Sequence, residues 1–244
     1  MISGFTFCHN SLEGGYPLVE AIDAVRGWVD EIVVVDMAST DGTRELLERE
    51  HVRILDGEWF AGSDCLKKAH AMHTQCKGDV IIHFEADEVY ETGLIRQIVD
   101  MLHICEQQQL SVWRIQVEQN FQRVRWYPHI VHRVFPKGTA IKDGESTNLR
   151  GNTAVIPQCF GMLWDITYNF RDNIVDRCDN NAFLHGGDPN YLFAPSHICQ
   201  PYQLTREQLV DYLDEPQWRF VSTPLNIPLS LRPLVGKTKY EANL

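Results

Sequence analysis

Two short acidic stretches carry the residue types from which this sequence could build a reaction site. Asp36-Met37-Ala38-Ser39-Thr40-Asp41-Gly42-Thr43 follows the β-branched run Ile32-Val33-Val34-Val35, and Glu85-Ala86-Asp87-Glu88 follows Val80-Ile81-Ile82-His83-Phe84. A carboxylate at a strand end can accept hydrogen bonds from a base or a ribose, and small residues such as Ser39, Asp41 and Gly42 let a ligand approach the backbone. Glu85 and Asp87, two apart on an extended backbone, point to the same side, and three acids within four residues repel one another unless positive charge offsets them. A divalent cation held by oxygen ligands would do so, and would also neutralise a diphosphate. Each stretch has a plain structural alternative: a capped strand-to-helix turn over 36–43, and a solvated acidic loop in which Glu88 opens a helix. Their occurrence together favours chemistry.

The elements that must position these residues follow from hydrophobic periodicity. Residues 2–8 alternate and are β-rich, until Asn10, Gly14 and Gly15 break the pattern. Val19, Ile22, Val25 and Val29 step by three and four, which predicts an amphipathic helix over 16–29. A strand buried on both faces ends at Asp36, a helix opens after Thr43, and 52–55 reads as a third strand. Cys65, Leu66, Ala69, Met72 and Cys76 predict a helix over 63–76, ended by Lys77-Gly78, and 79–84 is the next strand. Leu94, Ile95, Ile98, Leu102 and Cys105 predict a helix over 93–109. This alternation implies an α/β fold with a mostly parallel, helix-covered sheet, whose carboxyl edge is where ligands bind. Residues 111–121 and 129–135 read as longer, more polar, antiparallel strands. Beyond Gly138 the pattern weakens, and only 205–213 predicts a helix. Pro216, Pro224, Pro228 and Pro233 predict an extended arm at the C-terminal end.

With 244 residues, 44% of them hydrophobic, the chain can bury one full core. A net charge of −11 argues against a general binder of nucleic acid or acidic membrane, both of which need basic faces. No run approaches the roughly 20 apolar residues of a membrane span. The first residues lack the basic and longer apolar regions of a signal peptide and read as a strand. Seven cysteines, an odd count with no close pair, suit neither a disulfide framework nor a zinc site. They predict buried thiols in a reducing, cytoplasmic compartment.

In combination, Val29-Asp30-Glu31-Ile32-Val33-Val34-Val35-Asp36, Ser39-Thr40-Asp41-Gly42-Thr43, Trp59, Gly78-Asp79 and Ala86-Asp87-Glu88 resemble the family 2 glycosyltransferases of GT-A fold. The likeness is to the small bacterial and viral members that decorate polysaccharide or lipopolysaccharide. It continues through Trp126-Tyr127-Pro128 and Arg133-Val134-Phe135-Pro136-Lys137-Gly138 and fades after about residue 145. The resemblance implies a nucleotide-sugar-binding part over 1–110, an acceptor side of the same domain over 111–214, less regular than the first, and the arm over 215–244. It also implies residue roles. Asp36 would contact the base or ribose of a UDP-, GDP- or TDP-linked sugar, with Asn10, Ser39 and Asp41 around it, and Asp87 would ligate Mn²⁺ or Mg²⁺. Glu85 stands where the family's metal motif usually begins with Asp, and with Ala86 it is assigned to the donor. Arg171 would bind phosphate, although Thr167 replaces the His that precedes its segment in the family. His197 sits where some members have a third metal ligand.

The implied reaction inverts the anomeric centre in a single displacement. A carboxylate takes the proton of the acceptor hydroxyl while the cation offsets charge developing on the diphosphate. That base must come from the acceptor side, with Asp143 and Glu145 as first candidates and Asp165 and Asp172 next. Lys67-Lys68 either reaches phosphate or forms a solvated face. Arg123, Arg125, His129, His132 and Arg133, with Trp126 and Tyr127, form a dense basic-aromatic cluster expected to take a glycan acceptor. Two alternatives stay open. A sugar-phosphate nucleotidyltransferase shares the layout but needs a Gly-rich basic loop after the first strand, which Phe5-Thr6-Phe7-Cys8-His9-Asn10 does not supply. A non-catalytic glycan- or nucleotide-binding domain could have the same fold. A dinucleotide dehydrogenase is disfavoured because no G-x-G-x-x-G follows the first strand.

Overall fold

The computed structural model describes residues 1–62, 64–104, 109–118, 123–124, 129–139, 153–168, 229–235 and 237. The apolar runs of the first half form four strands, β1 (Ile2–Cys8), β2 (Glu31–Asp36), β3 (Arg53–Asp56) and β4 (Val80–His83). Val33, Val34 and Val35 are wholly buried, as a β-branched run covered on both faces must be. Between these strands run α1 (Leu18–Arg26), α2 (Thr43–Arg49) and α3 (Asp64–Ala71). The inward face of α1 is Leu18, Ala21, Ile22 and Val25. Val19 lies beside that face and not on it, because the helix begins after Pro17 and presents the i, i+3, i+4, i+7 set counted from Leu18. The expected helix over 63–76 is shorter as well. α3 gives way to a 3₁₀ turn at Met72–Gln75, where the His73 ring nitrogen Nδ1 lies 2.6 Å from the His70 carbonyl.

The acidic stretch is followed by a strand, β5 (Glu88–Tyr90), and not by a helix start at Glu88; α4 begins later, at Thr92–Ile104. The remaining strands are β6 (Gln109–Glu118), β7 (Arg123–Val124), β8 (His129–Pro136), β9 (Thr153–Val155) and β10 (Leu163–Tyr168). One curled sheet contains them in the order β3-β2-β1-β4-β8-β6-β10-β5, with β7 and β9 also on β6. β1 to β4 pair in parallel, and β8 enters antiparallel between β4 and β6. Three-residue strands such as β5 and β9 have no readable period and exist because a neighbour offers them a ladder; β5 takes β10 and β9 takes β6.

Helices cover both faces. Leu18, Ile22 and Val25 of α1 and Leu94, Ile95 and Ile98 of α4 pack on one face with Trp164, joined by Leu231 and Leu234 of a 3₁₀ turn at Leu229–Leu234. Phe5, Val33, Val35, Ile81 and Phe135 form the other face under Cys65 and Ala69 of α3. Cys8, Cys65 and Cys76 are buried thiols, but Cys159 is exposed, which corrects the expectation for that one. Cys105, Cys178, Cys199 and the expected helix over 205–213 lie outside the described residues. Among the described residues no helix is long and apolar enough to cross a membrane.

The consequence for function lies in the order of three strands. β1 stands between β2 and β4, parallel to both, with Cys8 opposite Asp36 and Phe5 opposite His83. The segments that follow all three therefore emerge at one edge, and the two acidic stretches are about two strand spacings, roughly 10 Å, apart.

Candidate functional site

The first half of the site is the loop after β2. Asp36 is 5% exposed; its Oδ1 accepts the Ser39 amide at 3.1 Å and its Oδ2 faces Arg44 Nη1 at 3.4 Å. The same Arg44 nitrogen lies 2.6 Å from Asp56 Oδ1. Ser39 Oγ accepts the Asn10 amide at 3.0 Å, and Asn10 Oδ1 accepts the Thr40 amide at 2.8 Å. Asp41 accepts the amides of Thr43 (3.0 Å) and Glu13 (2.8 Å), so one carboxylate forms an Asx-type turn just ahead of α2, whose N-cap is Gly42, and ties down the loop after β1. Ala38 adopts φ 54°, a left-handed conformation that costs a residue with a Cβ about 1–2 kcal/mol. The surrounding hydrogen bonds hold it there.

Beside this loop the His9 ring stacks on Trp59, with centroids 4.0 Å apart and planes 9° from parallel. Its Nδ1–H donates to the Met37 carbonyl at 2.7 Å. Burial lowers the His9 pKa, with that hydrogen bond opposing it, so the ring favours its neutral form. A flat, uncharged aromatic pair thus borders the Asp36 loop. Sequence reasoning named Trp59 and missed His9; the available signal was its position at the end of a strand on the ligand-binding edge.

The second half is the loop from β4 to β5, and its acids are treated differently. Glu88 is fully buried. Arg133, also fully buried, grips it with Nε at 2.7 Å from Oε2 and Nη2 at 2.6 Å from Oε1. Arg133 Nη2 also reaches Glu85 Oε1 at 2.7 Å. From β6, Arg114 Nη1 lies 3.1 Å from Glu88 Oε1 and 3.4 Å from Asp165 Oδ2 of β10. Burial by itself would raise Glu88, but the Arg133 and Arg114 charges outweigh it and hold the carboxyl well below the usual range. Burial, then the Glu88 charge, push Glu85 above that range against the pull of Arg133. With 37% of its side chain in solvent, water moderates that effect on Glu85. The positive charge demanded by three clustered acids is therefore supplied in large part by two arginines.

The chemistry of the donors is compatible with a divalent cation. Glu85 and Glu88 are engaged by arginine, and Asp87, 6% exposed at the head of β5, offers hard oxygen donors. Among the described residues no group of three or more His, Cys, Asp and Glu could enclose a metal. Mg²⁺ and Mn²⁺ commonly take one or two carboxylates together with phosphate and water, the donor type that Asp87 offers.

The structure brings Asn10, Asp36, Ser39 and Asp41 into one loop pair and sets Glu85, Ala86 and Asp87 on the neighbouring loop, with Ala86 packed into the core. Asp143, Glu145, Arg171 and His197 lie outside the described residues, as do Asp172, Trp126 and Tyr127. Asp165 is 2% exposed and faces Arg114, so it is not the solvent-side acid expected of a base. Arg133 lies beneath the acidic loop and not on an acceptor surface, and His132 Nδ1 meets Ser111 Oγ at 2.5 Å. Lys67 pairs with Asp64 at 2.9 Å, while Lys68 pairs with Glu58 at 3.5 Å and covers the Phe60 ring at 4.6 Å: a solvated face.

Set against known proteins, residues 6–164 match the model of glycosyl transferase family 2, well over half of the chain. The chain belongs to that family. Its fold is that of the S. aureus TarS crystal structure, with a TM-score of 0.50 and 10% identity over 72% of this chain and 38% of TarS. The chain thus spans well under half the length of that protein. The Mycobacterium tuberculosis glucosyl-3-phosphoglycerate synthase, solved with Mn²⁺, UDP and phosphoglyceric acid, is similar at a TM-score of 0.36 and 19% identity over 48% of this chain and 43% of the synthase. No curated protein sequence matches the chain.

Proposed function

We propose that this chain moves a sugar from a UDP-, GDP- or TDP-linked donor to a hydroxyl acceptor, a glycan of a bacterial-type surface polysaccharide or lipopolysaccharide, with inversion. The observation that carries it is the placing of two acidic strand ends on one sheet edge, roughly 10 Å apart across β1, in a family 2 chain. That span suits a nucleoside at one end and a diphosphate at the other. Asp36, with Asn10, Ser39 and Asp41, holds the nucleoside, and the neutral His9–Trp59 pair gives it a flat wall. Glu85, 37% exposed despite the Arg133 grip, lines the donor sugar, Ala86 meets the donor only by its backbone since its side chain packs into the core, Arg171 binds phosphate, and Asp87, with His197, holds Mn²⁺ or Mg²⁺. When bound, the cation supplies charge neutralisation of the diphosphate leaving group. Asp143 or Glu145 takes the proton from the acceptor hydroxyl as it attacks the anomeric carbon.

The test is sugar release or transfer across a donor panel with and without EDTA, together with melting curves in UDP, GDP or TDP plus Mn²⁺. Turnover that EDTA abolishes is the expected result. Nucleotide binding without turnover for any donor would move the chain to the non-catalytic alternative, and neither binding nor turnover would overturn the proposal.

A further inference from the structure

We infer that Arg133 is a positioning residue for the acidic loop: by gripping Glu88 and Glu85 from beneath, it fixes where Asp87 meets a cation-bearing diphosphate. This rests on the function proposed above and goes beyond it, since it assigns a role to a residue that touches neither donor nor acceptor. Contacts from three later strands converge on the loop. Arg133 of β8 holds the Glu85 and Glu88 carboxylates at 2.6–2.7 Å. Arg114 of β6 supports Glu88 from the other side and is itself held by Asp165 of β10. The Ile166 amide of β10 donates to the Asp87 carbonyl at 3.0 Å. The loop also closes on itself, with the Glu85 amide donating to Glu88 Oε2 at 3.1 Å. Asp87 is therefore flanked on both sides by residues that cannot shift without breaking a charge-assisted bond.

A buried ion network of this kind seldom adds stability over apolar packing of the same volume. Its value is directional. A planar guanidinium binding one carboxylate through two nitrogens fixes both distance and angle, which an ammonium does not. Side chains that orient a metal ligand typically control 10–100-fold in metal affinity or activity.

The experiment is an Mn²⁺ titration followed by electron paramagnetic resonance, in the presence of UDP, GDP and TDP in turn, on wild type, Arg133→Lys and Arg26→Lys. Arg26 grips Glu50 on the surface and serves as the control. Arg133→Lys keeps the charge and loses the fork; Mn²⁺ affinity should fall 10–100-fold with a parallel fall in kcat, while Arg26→Lys matches wild type on both. Unchanged or tighter Mn²⁺ binding by Arg133→Lys, even with a lowered melting temperature, would overturn the proposal and make Arg133 structural only. Should that variant not fold, Glu88→Gln removes the charge Arg133 grips at nearly constant volume, and unchanged affinity there overturns it equally. If wild type binds no Mn²⁺ with any nucleotide, the proposed function falls and this role falls with it.

Discussion

The two acidic loops solve the same electrostatic problem by opposite means. In the loop after β2, carboxylates are satisfied mostly by amides a few residues away: Asp36 by Ser39, Asp41 by Thr43, with Arg44 eight residues on. In the loop after β4, Glu88 and Glu85 are satisfied by Arg114 and Arg133, 26 to 48 residues later and on other strands. The first loop is half solvated and tied by amide hydrogen bonds to the neighbouring loop after β1, through Asn10 and Glu13. The second is buried and depends on the sheet being assembled. A locally satisfied acid remains able to accept further hydrogen bonds from a ligand, whereas an acid gripped by buried arginine is committed to holding shape. In the second loop Glu88 is held in this way, Glu85 in part, and Asp87 beside them is the acid proposed to meet the cation.

Removing the buried cation should separate the loops most sharply. Arg133→Met leaves Glu88 buried without its principal partner and should cost about 3–5 kcal/mol of stability, while Arg44→Ala, at a partly exposed pair, should cost no more than about 1 kcal/mol. Urea denaturation of both measures the contrast, and similar losses would erase it. Asp87→Asn should lower kcat on the order of 10²–10³-fold with little loss of stability, in line with the loss of one group that offsets developing charge. A variant with full turnover would place the cation elsewhere.

Acid should weaken the side of the sheet that leads into the second loop. His83 lies fully buried at the end of β4, its ring 4.9 Å from that of His70, and neither of its nitrogens finds a hydrogen-bond partner among the described residues. Burial, then the His70 and Arg133 charges, lower its pKa well below the ordinary value, and burial lowers that of His73. The unfolded chain therefore takes up protons that the folded one refuses. Stability should be full above about pH 6.5 and fall as the pH drops below it, whereas the Glu88 contribution is lost only below about pH 4.5. Because the raised Glu85 works in the opposite sense between about pH 4.5 and 8, urea midpoints between pH 8 and pH 5 in a Glu85→Gln background read the histidine window, and a flat profile there would show that the histidines charge without cost. The smallest effect belongs to the first loop. Asp41→Ala removes the acceptor at the start of α2 and should cost about 1 kcal/mol by thermal denaturation, with the second loop's Mn²⁺ affinity unchanged.

Much of the first half was legible in the sequence. The run Ile32-Val33-Val34-Val35 bounded by Asp36, and the apolar stripe Leu94, Ile95 and Ile98, each carry their own period, so a buried strand and an amphipathic helix followed without knowledge of neighbours. β5 and β10 were not legible. Three residues have no period, and the strand at Leu163–Tyr168 follows a Pro- and Gly-bearing stretch that hides it.

By itself the sequence determined that two acidic strand ends would face a common edge, because alternating strands and helices leave a parallel sheet few other arrangements. It also determined the local turns of the Asp36 loop, Asp36 with Ser39 and Asp41 with Thr43, while its ties to Asn10 and Glu13 come from the parallel pairing of β1 with β2. Only the tertiary structure decided what offsets the second cluster. A cation was the natural expectation from Glu85-Ala86-Asp87-Glu88 alone, and Arg133 read as part of an acceptor surface. The sheet order β4-β8-β6-β10 sets Arg133 and Arg114 under those acids. Charge pairing between strands depends on which strands are neighbours, and that order is fixed by burying the sheet's apolar faces and not by any residue near the loop.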